Sequence, residues 1–345
     1  MEVERQVLQE RTIPFTSGDG VECNLINVRG TLPPTRGPVL LVHGAGVRAN
    51  IFRAPVETNF VDYLVAHGYD VWLENWRASI DLAPNEWTLD QAAIFDHPSA
   101  VAKVLEETGS KTVKAVIHCQ GSTSFMLSAA SGLLPQVDTI VSNAVSLHPV
   151  VPKWSWFKLT FVLPLVALFT RYLNPQWDGN ADSMIARFLY RFARLTHREC
   201  DNSVCHQVSF YYGAGFPALW RHENLNEDTH EWLREEFAMV PMSFYRQIVR
   251  CVHHGSLIPQ DRKDSLPADV AEGPPATDAR IALFAGTENL CFLPESQSRT
   301  FEYLKRHRDK DALHIVPEYG HLDMFMGKNA AKDVFPLMVA ELEKD

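Results

Sequence analysis

The 345-residue sequence has no apolar run long enough to span a bilayer, no block of basic residues and only six cysteines. Its longest apolar stretch, residues 157–169, contains Lys158 and Pro164 and falls short of the roughly 20 residues that a transmembrane helix needs. We interpret it as a lid helix, with contact to a membrane interface as the alternative. The net charge is −10, so no basic surface for nucleic-acid phosphates is expected.

The cysteines are sparse and irregularly spaced, unlike the framework of a secreted disulfide-rich domain. The first five residues are acidic and polar, and no apolar signal core follows them. We therefore expect a cytoplasmic protein with mostly reduced thiols. Internal repeats and low-complexity tracts are also missing, and an apolar fraction of 46% is that of an ordinary globular protein.

Short apolar runs alternate with helical patterns along most of the chain. The first 30 residues predict a β-hairpin that turns at Ser17-Gly18-Asp19-Gly20. Residues 98–108 predict a helix, because Pro98 suits a first turn and Gly109 a stop. Alternation of this kind predicts an α/β fold, with a mainly parallel sheet covered by helices on both faces. The predicted strands of that sheet are residues 38–42, 70–73, 113–117, 139–145, 280–285 and 313–316.

The alternation is interrupted by a long, aromatic-rich segment with a helical pattern, residues 149–257. An insertion of this size between two late strands predicts a helical cap over an active site. Residues 1–148 and 258–345 would then form the core. The polar, proline-bearing residues 261–278 would return the chain to the sheet.

The most informative stretch is Ile-His-Cys-Gln-Gly-Ser, residues 117–122. It follows a predicted strand and precedes a run rich in Ser, Ala and Leu, the layout of a nucleophile elbow. Cys119 stands where the usual Gly-x-Ser-x-Gly pattern has serine, which predicts acyl transfer through a thioester. A helix that starts at Gln120 would lower the pKa of the thiol. Ile117 occupies the position usually held by glycine, so the turn must differ slightly.

Two other interpretations of this stretch exist. Cys119 could be a buried structural cysteine, which is common in protein cores. Ser122 and Ser124 are competing nucleophiles, but neither lies on the predicted turn. We prefer Cys119 because of the strand, turn and helix that flank it.

His321 is the candidate base, because Gly320-His321 comes just after the last predicted strand. A base near the nucleophile takes and returns its proton. His118 adjoins Cys119 in sequence, but a neighbouring side chain at a strand end should point away. We therefore interpret His118 as structural.

The residue that orients His321 is less clearly marked. It should follow the strand at residues 280–285, where the usual Gly-x-x-Asp register puts Asn289 in the acid position. Glu288 is one residue out of register, and Asp323 is a third candidate. An asparagine is chemically acceptable, since an amide orients the imidazole of papain-like cysteine proteases. Asn289 and Glu288 both remain open.

Backbone N–H groups of Ala45 and Gln120 are the candidate oxyanion hole. Ala45 belongs to a His-Gly-Ala-Gly loop that begins at His43, directly after the strand at residues 38–42. The same loop matches the dinucleotide fingerprint G-x-G-x-x-A through Ala49. No second nucleotide-binding half follows, so the oxyanion loop is the better interpretation.

Cys200 and Cys205 lie near His197 and His206, which raises the question of a metal. Their C-x4-C spacing with flanking histidines matches no standard zinc pattern. We expect ordinary cap cysteines, no bound metal and no cofactor.

Taken together, the His-Gly loop, the cysteine elbow and the Gly-His loop resemble the α/β-hydrolase superfamily. Phe-Asp-His-Pro at residues 95–98 and His-Cys-Gln-Gly at the elbow are similar to the acid-lipase branch, whose elbow reads Gly-His-Ser-Gln-Gly. The hydrolase regions that accompany cholesterol-oxidase-like flavoproteins are more similar still. They share Trp-Arg-Ala-Ser at residues 76–79 and the Glu-Asn-x-x-Phe-x-Pro-Glu-Ser pattern at residues 288–296. The flavin-binding portion is not present in this chain.

The resemblance implies hydrolysis of esters, thioesters or lactones with a lipophilic acyl or alcohol part. We expect His43 and three cap aromatics, Trp154, Trp156 and Phe157, to contact this small lipophilic substrate. Two alternatives remain: an acyltransferase or polyester-synthase-like enzyme that uses the same cysteine, and a lipid-binding homologue without catalysis.

Overall fold

A computed structural model describes residues 7–261 and 264–344 of the chain and contains an eight-stranded sheet flanked by helices. A short antiparallel pair of strands, β7 and β8, lies apart from that sheet. In chain order the strands are β1 (Gln9–Thr16), β2 (Glu22–Arg29), β3 (Pro38–Val42), β4 (Asp70–Asn75), β5 (Val113–His118), β6 (Val137–Asn143), β7 (Tyr172–Leu173), β8 (Val240–Pro241), β9 (Arg280–Gly286) and β10 (Ala312–Val316).

The spatial order of the large sheet is β1-β2-β4-β3-β5-β6-β9-β10. β2 runs antiparallel to both of its neighbours, and all the other pairs are parallel. The predicted α/β class is thus confirmed. The α-helices are α1 (Phe60–Ala66), α2 (Leu89–Gln91), α3 (His97–Thr108), α4 (Cys119–Ala130), α5 (Lys153–Phe157), α6 (Leu163–Val166), α7 (Met184–Thr196), α8 (Ser203–Tyr212), α9 (Glu227–Trp232), α10 (Met242–His254), α11 (Pro294–Lys305), α12 (Asp323–Met326), α13 (Ala330–Asp333) and α14 (Phe335–Leu342).

Single turns of other helix types complete the secondary structure. π-helical turns join α2 to α3 and α5 to α6, so residues 89–108 and 153–166 are each continuous helical segments. The 3₁₀ turns are Ala49–Arg53, His222–Asn224 and Leu233–Glu235.

The predicted hairpin and strands are present, with small shifts at their ends. The strand predicted at residues 139–145 is β6, which ends earlier because Ala144 takes a left-handed φ of 58°. Residues 261–278 contain no helix or strand in their described part, and residues 262 and 263 lie outside it. The polar N-terminal residues 1–5 also lie outside the described residues.

The centre of the sheet is covered on both faces. Every residue of β3 and β4 is buried, as is every residue of α4, the helix that follows β5. Parallel strands between two helical layers have no solvent-facing side, so their sequences are continuous apolar runs rather than alternating ones. This is why the short apolar runs predicted the strands well.

A buried ion-pair network connects the two motifs that resemble other hydrolases. Arg77, just after β4, is 2% exposed and lies 2.6 Å from the carboxylate of Asp96. Its other amino group reaches Asp19 in the hairpin turn at 2.9 Å. The next residue after Asp96, His97, bonds Glu74 at 2.9 Å and Ser124 of α4 at 2.8 Å. Ion pairs and hydrogen bonds thus join the hairpin, β4, α3 and α4.

The segment between β6 and β9 contains α5 to α10 together with β7 and β8, and these elements all fall within residues 149–257. We use the word cap for residues 149–257. No described helix combines the length and the apolar character that crossing a bilayer would require.

We predict that Asp96→Asn lowers the free energy of unfolding by about 3 kcal/mol, because it leaves the buried Arg77 guanidinium without its main counter-charge. Urea unfolding followed by fluorescence would measure the change. Glu295→Gln is the control, since its pair with Arg299 is about half exposed and should contribute no more than about 0.5 kcal/mol. Equal losses in the two variants would contradict the structural role of the pair.

Candidate active site

The sharp turn predicted after β5 is present, and Cys119 is its central residue. Cys119 is the first residue of α4 and has a left-handed φ of 55°. This conformation costs a residue with a Cβ about 1–2 kcal/mol, so the surrounding structure must stabilise the turn. Ile117 does not prevent the turn: it is buried in β5 between Val42 and Ser142.

Two glycines allow the turn and the His-Gly loop to pack together. A Cβ added at Gly44 would lie 2.8 Å from the Cβ of Cys119, and one at Gly121 would lie 2.0 Å from the carbonyl oxygen of His43. Neither position has room for a side chain. This close approach brings Ala45 into the cavity that Cys119 lines, where an oxyanion donor is needed.

The cap covers the glycine loop from above. A Cβ at Gly46 would lie 2.3 Å from the hydroxyl of Tyr212 and 2.6 Å from a methyl carbon of Val240. A pyrophosphate could not approach the loop backbone through these side chains, which removes the dinucleotide interpretation.

His321 and Cys119 are brought together as the sequence predicted. The chain passes from β10 to α12 through a loop in which the N–H of His321 donates to the Leu219 carbonyl at 2.7 Å. The thiol sulfur and one ring nitrogen each of His321 and His118 all lie within 4.8 Å of one another.

The prediction that His118 points away from the nucleophile is wrong. Its ring centroid lies 4.8 Å from that of His321, and both histidines line the cavity at Cys119. The side-chain amide of Asn143 donates to Nδ1 of His118 at 2.9 Å. Burial, together with the nearby His321 and His43, holds the pKa of His118 well below its usual range. A neutral His118 therefore packs beside His321 in the site.

A second cysteine, Cys291, was missed by sequence reasoning. A hydrogen bond from Cys291 is the largest influence that lowers the pKa of Cys119 well below its usual range. Burial opposes the shift, while the charge and hydrogen bond of His321 and the N–H of Gln120 support it. The pKa of Cys291 is correspondingly raised by this hydrogen bond and by burial. The only signal in the sequence was its place two residues after Asn289.

The three candidates for orienting His321 differ in what they already bind. Glu288 is half-exposed and pairs with Arg221 at 3.2 Å. Asp323 accepts from the N–H of Gly320 at 2.9 Å and from Asn224 at 2.6 Å, and burial raises its pKa to about 6.

Asn289, by contrast, has a free end inside the protein. Its Oδ1 accepts the N–H of Cys291 at 3.0 Å, whereas its Nδ2 is buried without a hydrogen-bond partner. Nδ1 of His321 is also buried and unpartnered. The adjoining Glu288 N–H donates to the Tyr319 carbonyl at 2.9 Å, so this loop packs beside the His321 loop. Asn289 is thus the candidate whose side chain keeps a polar group without a partner. In an imidazolium both ring nitrogens donate, so Oδ1 of the amide, which has a second lone pair, is the atom that would accept from His321.

The competing nucleophiles are unsuitable. Ser122 and Ser124 are both fully buried in α4. The hydroxyl of Ser122 bonds Ser142, and that of Ser124 bonds His97 and the Gln120 carbonyl. Neither hydroxyl reaches the cavity.

Two cavities share Tyr212 in their linings. The lining of the catalytic cavity also includes Cys119, His321 and Ala45. The second cavity lies in the cap. The rest of the cap cavity is mainly apolar and is lined by Ser155, Lys158, Leu159, Val162, Leu163, Val166, Leu173, Leu189, Phe210, Tyr211 and Gly213.

The residues predicted to bind substrate line neither of these two cavities. The ring of His43 is buried against Trp76, and its Nδ1 bonds the Gly44 carbonyl at 2.7 Å. The three cap aromatics, Trp154, Trp156 and Phe157, lie on the outer face of the cap and are about two-fifths exposed. Other exposed apolar side chains extend this face, which is where the predicted contact with a membrane interface would fall: Phe161, Leu165, Leu168 and Phe169.

Comparison with known proteins agrees with this geometry. No protein-family model matches the chain. Mouse lipase member K is 34% identical over 341 residues, which cover 92% of this chain and 81% of the relative. Human lipase member K is 30% identical over 328 residues, or 89% and 79% of the two chains.

Among solved structures, an esterase from Pyrococcus furiosus superposes with a TM-score of 0.56 at 11% identity, covering 97% of this chain and 91% of its own. At that identity the likeness concerns the fold alone. The two lipases extend the relationship to sequence over most of both chains. The chain therefore belongs to the lipase family within the α/β-hydrolase superfamily, and it is a hydrolase of carboxylic esters.

Proposed function

We propose that this enzyme hydrolyses esters with a lipophilic part through a covalent acyl-enzyme in which Cys119 carries the acyl group as a thioester. The observation that carries the proposal is the position of the Cys119 thiol. It stands on the left-handed turn, beside His321 and Cys291, and its pKa is held low by them. A thiolate is the reactive form of cysteine, so this position favours nucleophilic attack.

In the first step the Cys119 sulfur forms a bond to the ester carbonyl carbon, and the carbonyl π electrons move to oxygen. The N–H groups of Ala45 and Gln120 would hold this oxyanion. Collapse of the intermediate breaks the bond to the alcohol oxygen, which takes a proton from the His321 imidazolium. Water then attacks the thioester while His321 accepts its proton, and the acid leaves as the thiolate is restored.

The cap cavity supplies a place for a lipophilic chain. It adjoins the catalytic cavity at Tyr212, and aliphatic side chains dominate its lining. The one ammonium group there, on Lys158, bonds the carbonyls of Phe210 and Gly213. Burial lowers the pKa of Lys158 to about 7, so near neutral pH it carries less charge than an exposed lysine. An apolar lining of this kind suits an alkyl or acyl chain of the substrate.

We expect brief exposure to p-nitrophenyl butyrate to add one butyryl group to the wild-type protein, visible by intact-mass spectrometry and located on Cys119 by peptide mapping. Cys119→Ala removes the nucleophile and should lower kcat by at least about 10³-fold. Cys251→Ala is the control, because Cys251 is a buried thiol of α10 outside the catalytic cavity and should keep full acylation.

Decay of the adduct separates two versions of the proposal. Loss of the butyryl group to water identifies a hydrolase, whereas faster loss on addition of an alcohol, with a new ester formed, identifies an acyltransferase. Release of nitrophenol by Cys119→Ala at the wild-type rate would overturn the role of Cys119.

The orienting role of Asn289 predicts a second result. Asn289→Ala should lower kcat by about 10–10³-fold with little change in KM, because the imidazole loses its fixed orientation. Asn289→Asp should retain more activity than Asn289→Ala, since a carboxylate can also accept a hydrogen bond from the imidazolium and hold the ring. Glu288→Gln, whose partner is Arg221 at the surface, is the matched control. A larger loss in Glu288→Gln than in Asn289→Ala would reverse the assignment.

The hydrogen bond from Cys291 predicts a pH effect. A free thiol has a pKa of about 8.5, and the lowered pKa of Cys119 should make it react with iodoacetamide well below that pH. Cys291→Ala removes a donor to the thiolate, so the midpoint of Cys119 alkylation should move to higher pH. Alkylation of the Cys119 peptide, followed by mass spectrometry across pH, measures the midpoint. An unchanged midpoint in Cys291→Ala would contradict this role.

A further inference from the structure

A cluster of two cysteines and two histidines lies inside the cap, and none of these four side chains takes part in the proposed catalytic mechanism. Nε2 of His197 lies 3.6 Å from the sulfur of Cys200 and 3.9 Å from that of Cys205. The sulfur of Cys205 lies 3.5 Å from Nε2 of His222. One ligating atom from each of the four residues falls within 4.8 Å of the other three.

We propose that this cluster, His197, Cys200, Cys205 and His222, is a structural zinc site. Two thiolates and two imidazoles are a standard ligand set for tetrahedral Zn²⁺. With Zn–S of about 2.3 Å and Zn–N of about 2.0–2.1 Å, a tetrahedron separates sulfur from nitrogen by about 3.6 Å. The three sulfur–nitrogen distances of the cluster, 3.5, 3.6 and 3.9 Å, are close to this value.

Both histidines are held in the orientation that a metal ligand needs. Nδ1 of His197 bonds the Gly215 carbonyl at 2.9 Å, and Nδ1 of His222 lies 3.2 Å from the Glu199 carboxylate. Each ring therefore places its proton on Nδ1 and directs the lone pair of Nε2 into the cluster. The Glu199 carboxylate is itself fixed by the N–H of Ala218 at 3.0 Å. An oxygen acceptor behind each ligating histidine is typical of zinc proteins.

The spacing of these residues in the sequence does not reveal this site. Sequence proximity pairs the two cysteines with His197 and His206, but Nε2 of His206 bonds the Cys200 carbonyl at 2.6 Å instead. The fourth ligand, His222, comes 17 residues after Cys205, in the 3₁₀ turn His222–Asn224. Four protein ligands leave no open position for substrate or water, which distinguishes a structural from a catalytic zinc site.

Zinc here would hold together the cap elements that contact the catalytic loops. The ligands join the end of α7, the start of α8 and the 3₁₀ turn, and α8 contributes Val208 and Tyr212 to the catalytic cavity. Just before the turn, the Leu219 carbonyl accepts the N–H of His321. Within the turn, the side chain of Asn224 donates to Asp323 and to the Glu318 carbonyl. This role of zinc does not depend on which residue carries the acyl group.

The first test is the zinc content of the full-length protein, purified without chelator after expression with added zinc and measured by inductively coupled plasma mass spectrometry. We expect one zinc ion per chain. Cys200→Ser and His222→Gln, which alter the two partly exposed ligands, should each reduce the zinc content to background and lower Tm by several degrees. Cys251→Ser, a buried cysteine outside the cluster, should keep both the zinc and the Tm.

A second experiment determines which of the two candidate sites holds the metal. Cys119 with His118 and His321 is another group of potential ligands. Cys119→Ser should keep one zinc ion if the cap holds it, whereas loss of zinc in that variant would assign the metal to the catalytic cavity and overturn the proposal. Replacement of zinc by Co²⁺ should give the intense visible bands of a tetrahedral site and sulfur-to-metal charge-transfer bands, both absent in Cys200→Ser.

Two results on the wild type overturn the proposal even where a variant fails to fold. One is a zinc content at background after supplementation, with Cys200 and Cys205 both reactive to thiol reagents. The other is a mass lower by two hydrogens, with a peptide map that joins Cys200 to Cys205 by a disulfide.

Discussion

Cys119 holds a backbone conformation that residues with a Cβ avoid, and the packing around it must keep it there. The buried α4 fixes one side of the turn and β5 the other. The His-Gly loop closes over it so tightly that Gly44 and Gly121 have no room for side chains. The same contacts place Ala45 beside the thiol. One strained turn thus positions the candidate nucleophile and both candidate oxyanion donors, so the site has little freedom to shift without unfolding this part of the sheet edge.

The parts predicted well from sequence were those that depend on local patterns. The buried parallel strands appear as short apolar runs, and the elbow, the His-Gly loop and the Gly-His loop each adjoin one of them. The order of these loops along the chain was enough to pair Cys119 with His321. Strand ends were less certain, because β6 ends where Ala144 turns left-handed, which no residue type at that position signals.

What could not be predicted depends on contacts between residues far apart in the chain. Cys119 follows β5 and Cys291 follows β9, and these strands lie on either side of β6 only in the folded sheet. His222 likewise joins the cap cysteines only after the chain has folded back. The substrate contacts predicted for the cap helix at residues 153–166 were wrong for another reason. Apolar residues occur around most of its circumference, so hydrophobic periodicity does not indicate which face is buried. The aromatic side chains of this helix are exposed on the outer face of the cap, and the face that carries Lys158 lines the cap cavity.

The departures of this chain from a serine triad form a chemically consistent set. A serine hydroxyl needs a carboxylate–histidine pair to remove its proton, and replacing that carboxylate by an amide costs a serine protease about 10⁴-fold in kcat. A thiol that already has a lowered pKa needs no such pair, because the histidine only has to carry a positive charge next to the sulfur. In the proposed mechanism an amide at residue 289 therefore suffices to hold the ring. Cys291 supplies the hydrogen bond that steadies the thiolate, and the carboxylates of Glu288 and Asp323 are left to hold Arg221 and Asn224. In that proposal the cysteine at the elbow and the asparagine in the acid position are complementary, because a thiolate does not require the carboxylate that a serine hydroxyl would need.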